Sequence, residues 1–389
     1  MRSRRRRVLA VVVSLLALAG AACGGDDDDG DGSILAGAGE GGGDDGLATI
    51  AGSLAALPAA ESQDPTQIAW GDLARAAEIA GVTPPDDPAD EEAVRTYLQG
   101  VLGNVRGSGD PVAYAVPPEA SNHMNPDVTA FADEVGWSIL DIERFVERQT
   151  PPAYVTVMEG GFDESRLSDA LGEAEDGTWR AGEGDAYEMS PQEASPARRF
   201  GEALWFTLPD GRLTVTRSPD DSAAVTQALT GGDAPTLADD PALAGVATAL
   251  DEESAYAAML LAGGGDGAGP AGAGAPPEAR QAACAQALPQ PTAAVGTGVA
   301  DEDGPVILIA LAHESADAAQ ANAEALERLV TEGHSVQTNQ PWSELVSLDA
   351  VGTTGDGLVT VARLRPTDPT RAQLWYQLLF NRDALVTSC

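Results

Sequence analysis

The chain reads as α+β: an N-terminal helical segment followed by two α+β halves of hairpin–helix units, ferredoxin-like in spirit. Three observations predict this. Asp-Gly turns at 210–211, 303–304 and 356–357 each stand beside short apolar or β-branched runs and lead on to a helix. A stretch at 263–277, nearly all Gly, Ala and Pro, divides the later sequence in two. From 48 to 150 the pattern is mainly Ala-rich and helical.

The first 22 residues order themselves as a basic run (Arg2, 4–7), an apolar run from Val8 to Ala19, and small residues before Cys23. That is a secretory signal. Its apolar run of about 13 residues makes a helix of roughly 20 Å, short of the roughly 30 Å hydrocarbon core. After Cys23 come Gly24, Gly25 and four aspartates. This start resembles the lipoproteins of high-GC Gram-positive bacteria, the uncharacterised extracytoplasmic lipoproteins of actinobacteria in particular. The resemblance implies that Cys23 is acylated, becomes the new N-terminus and holds the protein on the outer face of the cytoplasmic membrane. The competing reading is ordinary cleavage after Ala19-Gly20-Ala21, releasing a soluble protein that begins at Ala22.

Residues 23–47, Gly and Asp with few bulky apolar side chains, cannot form a core and read as a flexible acidic tether. Next, 70–80 reads as a helix stopped by Gly81, and 90–102 as a second between Pro88 and Gly103. The stretch 106–127 reads as loop, and 141–147 as a short helix before two prolines.

The first α+β half (151–261) opens with a strand at 153–158 and a helix at 163–171. It continues with strands at 205–208 and 213–216 about Asp210-Gly211. Ser218-Pro219-Asp220-Asp221 then supplies a cap, a first-turn proline and acids suited to a helix N-terminus, for a helix ending near Gly231. After the linker or loop at 262–278, the second half (279–389) carries a central strand at 306–312 and an Ala-rich helix capped by Ser315 and ended at Gly333. A strand at 358–364 follows, then a helix opened by Asp368-Pro369 with Leu374, Trp375, Leu378 and Leu379 on one face.

Acids outnumber bases 61 to 22, lysine is absent, and the net charge is −39. Cleavage of the signal removes five arginines and no acid, so the mature chain is more negative still. Nucleic acid and anionic lipid headgroups are excluded as partners by repulsion. With Cys23 lipidated, Cys284 and Cys389 remain as one pair in a compartment that permits disulfides. A bridge between them closes a loop of about 105 residues and contributes up to about 4 kcal/mol. Two free thiols and a metal site completed by a histidine are the alternatives.

No catalytic, cofactor or metal motif stands out. Asp27, Asp29, Asp31 and Gly32 begin an EF-hand spacing, but position twelve is Ala38 instead of glutamate. Histidines occur at 123, 313 and 334, with no H-E-x-x-H, and nucleophile-elbow and phosphate-loop motifs are absent. Trp205 and Trp375 sit on periodic elements and read as core. Trp179 and Trp342, in loop-like sequence, are the tryptophans to test for exposure as a sugar-stacking platform. The expectation is a lipid-anchored, non-catalytic binding or scaffolding component of the cell envelope. A solute- or lipid-binding carrier with its ligand between the halves is the alternative. An envelope hydrolase using His313 or His334 stands third.

Overall fold

The computed structural model describes residues 46–59, 66–102, 113–121, 127–150, 153–262, 278, 284, 286–354 and 357–388. The signal, the tether up to residue 45, Cys23, His123, the 263–277 stretch and Cys389 lie outside them.

In chain order the elements begin with α1 (Ile50–Ser53), β1 (Thr66–Asp72), α2 (Leu73–Ala80), α3 (Glu91–Leu102) and α4 (Val128–Val135). Then come β2 (Ile142–Thr150), β3 (Ala153–Gly160), α5 (Glu164–Leu171), β4 (Thr178–Ala181), β5 (Leu204–Thr207), β6 (Leu213–Thr216), α6 (Pro219–Leu229) and α7 (Pro241–Glu252). The last part holds β7 (Ala257–Ala262), β8 (Ala294–Asp301), β9 (Pro305–Ala312), α8 (Ala316–Glu332), α9 (Trp342–Leu345), β10 (Val346–Thr354), β11 (Val359–Pro366) and α10 (Leu374–Phe380).

All the strands join one 11-stranded sheet in the order β10-β11-β9-β8-β7-β1-β2-β3-β6-β5-β4. Every neighbouring pair is antiparallel. At the centre β1 pairs with β7, Ile68 opposite Leu260, and β7 pairs with β8, so the sheet runs without a break from the first half into the second.

Local chemistry sets the ends of the elements. Ser218 accepts a hydrogen bond from the Asp221 N–H, and Ser315 one from the Ala318 N–H, each opening the expected helix. Asp210 (φ 50°) with Gly211 (φ 78°), and Asp303 (φ 53°) with Gly304 (φ 124°), turn the β5–β6 and β8–β9 hairpins.

Alternating residues bury the sheet on both faces. One face, with Phe145, Phe206 and Ile309, packs against α2, α3, α4, α8 and α10, including Trp137, Trp342 and Trp375. The other, with Val146, Val157 and Leu308, packs against Leu47, Ile50, Leu54 and the Leu243–Leu250 side of α7.

The segment 48–150 is not purely helical, and this corrects the sequence reading. Trp70-Gly71-Asp72 ends β1, so the helix begins only at Leu73, and 141–147 lies largely in β2. Both are central strands: Trp70 faces Val146 on one side and Ala258 on the other. Ladder bonds on both edges and burial on both faces outweigh a helical propensity worth only tenths of a kcal/mol per residue.

Candidate functional site

Helix α6 carries the clearest departure from core chemistry. At helical spacing Ser222, Ala223, Thr226, Gln227 and Thr230 form one stripe beginning at Pro219, while Val225 on another side is fully buried in the core. Ser222 and Thr226 lie on its inner side, while Ala223, Gln227 and Thr230 are exposed. The stripe forms one wall of a cleft of about 700 Å³ at the β4 end of the sheet.

The second wall is a threonine row. Thr178 on β4 stands opposite Thr207 on β5, which stands opposite Thr214 on β6. Residues facing each other in an antiparallel pair share a side of the sheet. The Thr207 hydroxyl lies 2.6 Å from that of Thr214 and 3.2 Å from that of Thr226, tying the row to the helix. Leu208 and Pro209 add apolar surface, and Glu164 of α5, Asp176 and Gly177 of the turn before β4, and Trp179 of β4 complete the lining.

Two features mark the cleft chemically. Ser222 is buried at 3% exposure and its Oγ has no hydrogen-bond partner. A buried hydroxyl without a partner costs free energy, and most such groups are satisfied. In addition, among the described residues no arginine or histidine lines the cleft. The nearby arginines are engaged elsewhere: Arg166 with Asp141 at 2.8 Å, Arg198 with Glu134 at 3.1 Å, and Arg212 with Glu159 at 3.0 Å.

A second polar centre lies on β2 and β3. Glu147, at 1% exposure, accepts from Thr156 Oγ1 and Gln149 Nε2, each at 2.6 Å, and from the backbone N–H groups of Glu119 (3.3 Å) and Ala120 (3.5 Å). Burial holds its carboxyl above the ordinary glutamate range. Close by, the Arg217 guanidinium lies 4.3 Å from the ring centre of buried Tyr154 and pairs with Glu202 at 3.3 Å. Burial drives the Tyr154 phenol upward. Perturbed groups of this kind mark functional sites elsewhere. Here the bonds of Glu147 are all to the protein itself, and they fasten the 119–121 segment onto the sheet.

The residues nominated from sequence are placed as follows. His313 is buried; its Nε2 lies 3.1 Å from Thr360 Oγ1 and its Nδ1 3.3 Å from the Pro291 carbonyl. The Thr360 hydroxyl also donates to the Ala319 carbonyl at 2.8 Å. Burial lowers the His313 pKa, favouring the neutral ring. No carboxylate or nucleophile is among its hydrogen-bond partners. His334 sits in a bridge with Pro341.

Trp179 and Trp342 are buried, at 4% and 1% exposure, which removes both as a stacking platform. Trp179 Nε1 donates to Ser168 Oγ of α5 at 3.1 Å, on the opposite side of β4 from Thr178. Trp205 and Trp375 are core, as expected. Cys284 is half-buried, and Cys389, its expected partner, lies outside the described residues. Among the described residues no cluster of histidine, cysteine and acid fits a metal ion, and no helix is long and apolar enough to cross a membrane. The cleft itself was not anticipated from sequence, although the signal was there: a run of hydroxyls and an amide at positions 222, 226, 227 and 230 of a helix otherwise expected to bury apolar side chains.

No protein-family model, curated protein or solved structure matches the chain.

Proposed function

We propose that this protein is a lipid-anchored extracytoplasmic binding protein, and that the α6–β4–β5 cleft holds its ligand. The observation that carries the reading is the polar stripe of α6 facing a threonine row across an open cleft. The hydroxyls of Thr178, Thr207 and Thr226 stand in a concavity of about 700 Å³, within the roughly 300–1,000 Å³ range of small-molecule sites. A scaffold acting through an apolar patch is less well supported. The exposed large apolar side chains among the described residues are three, Met189, Phe200 and Phe380, the first two brought near each other where Gly201 meets the Ser190 carbonyl. A hydrolase centred on His313 has no support in that residue's partners.

The anchor at Cys23 rests on the order of basic run, apolar run, small residues and cysteine. It places the body outside the cytoplasmic membrane at the end of an acidic tether. The division into two like halves is also part of this proposal. Its support is the β5–β6 hairpin leading into α6 within 151–261 and the β8–β9 hairpin leading into α8 within 279–389.

One experiment tests the binding reading: protein-observed NMR of the mature protein against a fragment library. Shifts gathered on Thr178, Thr207, Thr226 and Gln227, abolished by the cleft-filling Ala223→Trp, are expected. Shifts confined to another surface would defeat it. The anchor is tested separately. Intact mass of the membrane-extracted protein should give an acylated Cys23 start, and Cys23→Ala should leave the protein unanchored; an unmodified start at Ala22 refutes the anchor.

A further inference from the structure

The lining of the cleft narrows its ligand by elimination, an inference that rests on the cleft being a binding site. Anions are disfavoured, because no cationic side chain among the described residues lines it, and Glu164 and Asp176 both do. An acyl chain is disfavoured too, since it would remove water from the threonine hydroxyls and return no hydrogen bonds.

Hydroxyl chemistry then separates the remaining classes. Thr178 and Thr226 present groups that both donate and accept, and Gln227 an amide that does the same. A polyammonium only donates, so it would leave the hydroxyl hydrogens and the amide NH₂ facing further donors. The ligand must offer donors and acceptors together, closely spaced. An extended peptide does so, but it would pair along the open edge of β4, in the plane of the sheet. The threonine row instead rises from the sheet's face, 4.7–4.9 Å apart from strand to strand in the usual geometry.

We propose that the cleft takes a short neutral saccharide. Its hydroxyls pair with Thr178, Thr226 and Gln227, and its C–H face lies against Leu208, Pro209 and Pro219.

The test is calorimetric titration of the mature full-length protein with maltotriose, cellotriose and chitotriose, with spermidine, citrate and a Thr-Thr-Ala tripeptide as comparison probes. At least one trisaccharide is expected to bind, and Thr178→Val and Gln227→Leu should each weaken it at least about tenfold. Both positions are partly exposed, so the variants should keep the wild-type Tm, and any that does not is replaced by Gln227→Glu. Ala223→Trp should abolish binding. Failure of all three trisaccharides, or binding that survives Ala223→Trp, overturns the proposal. If spermidine, citrate or the tripeptide binds and Ala223→Trp blocks it, the saccharide class falls while the cleft stands as a site. If Ala223→Trp affects no probe, both fall.

Discussion

Glu147 and Arg148 are neighbours on β2, both buried at 1% and 6% exposure, and they serve opposite faces of the sheet. Glu147 gathers Thr156, Gln149 and the 119–120 backbone on one face. On the other, Arg148 donates to the Pro58 carbonyl and lies 3.7 Å from Asp221 at the start of α6. Two adjacent buried charges thus pin a connecting segment to each side of the central sheet, and they do not neutralise each other.

The Glu147 carboxyl yields a pH signature. Burial raises its folded-state pKa above the unfolded value, so its contribution is most favourable below the unfolded pKa and is lost as pH rises through the raised folded value. Glu147→Gln mimics the protonated form and lacks this loss. The Tm of the variant relative to wild type is therefore expected to climb as pH rises above the ordinary glutamate range. Parallel melting curves there would show that the carboxyl stays ionised in the fold.

Arg148 leads to a different expectation. Its Nε is buried without a partner, and burial lowers its pKa. Arg148→Met fills similar space without the desolvated charge, and it should change stability by less than about 1 kcal/mol or raise it. Asp221→Ala should cost about 3 kcal/mol, since it strands Arg148 together with the Tyr187 hydroxyl that donates to Asp221 at 2.7 Å. Urea melts of the two variants give the comparison, and equal losses would show that the pair acts as a unit.

The sheet's closest helix contact gives a packing prediction. Gly296 on β8 lies beneath α7, where an added Cβ would stand 2.4 Å from Val246 Cγ1 and 3.0 Å from Leu250 Cδ1. Gly296→Ala should destabilise by about 1–3 kcal/mol through overpacking, although its backbone needs no special conformation. Gly352 on the edge strand β10 has open space at its Cβ, and Gly352→Ala is the control expected to be near neutral. Denaturant midpoints that shift equally would place the close contact elsewhere.

Punctuation was the legible part of this fold. Ser218, Ser315, Gly81 and the Asp-Gly turns act locally, through caps and left-handed backbone that a few residues determine, and each stands where the sequence places it. The central strands were not legible. Trp70-Gly71-Asp72 belongs to a strand because Val146 and Ala258, 76 and 188 residues away, flank it, and nothing within a helix-length window records those partners. The glycines of β8 hid a strand for a related reason: they reflect how near α7 comes, not a loop. Trp179 and Trp342 were misplaced because short elements, β4 and α9, carry too few residues to show a period. The cleft was half legible, since the α6 stripe is periodic in sequence whereas the threonine row exists only once β4, β5 and β6 align.

The C-terminal clip is open to direct measurement. Leu288 N–H donates to the Thr387 carbonyl at 2.9 Å, and Leu288 bridges Ser388 in parallel, so the run following Cys284 lies beside the run leading to Cys389. Those contacts support pairing Cys284 with Cys389, the one remaining partner once Cys23 carries lipid. Such a bridge constrains a long loop in the unfolded chain and should contribute about 2–4 kcal/mol. Cys389→Ser and the double Cys284→Ser/Cys389→Ser variant should lose the same amount, because either removes the whole cross-link. Reduction should bring wild type to their Tm and leave the variants unmoved. Non-reducing peptide mass spectrometry should recover the two cysteine peptides joined, lighter by two hydrogens than their sum. A thiol assay on the denatured, unreduced protein that titrates both cysteines would refute the clip, and an unchanged Tm on reduction would show that the 288–388 backbone ladder alone holds the terminus.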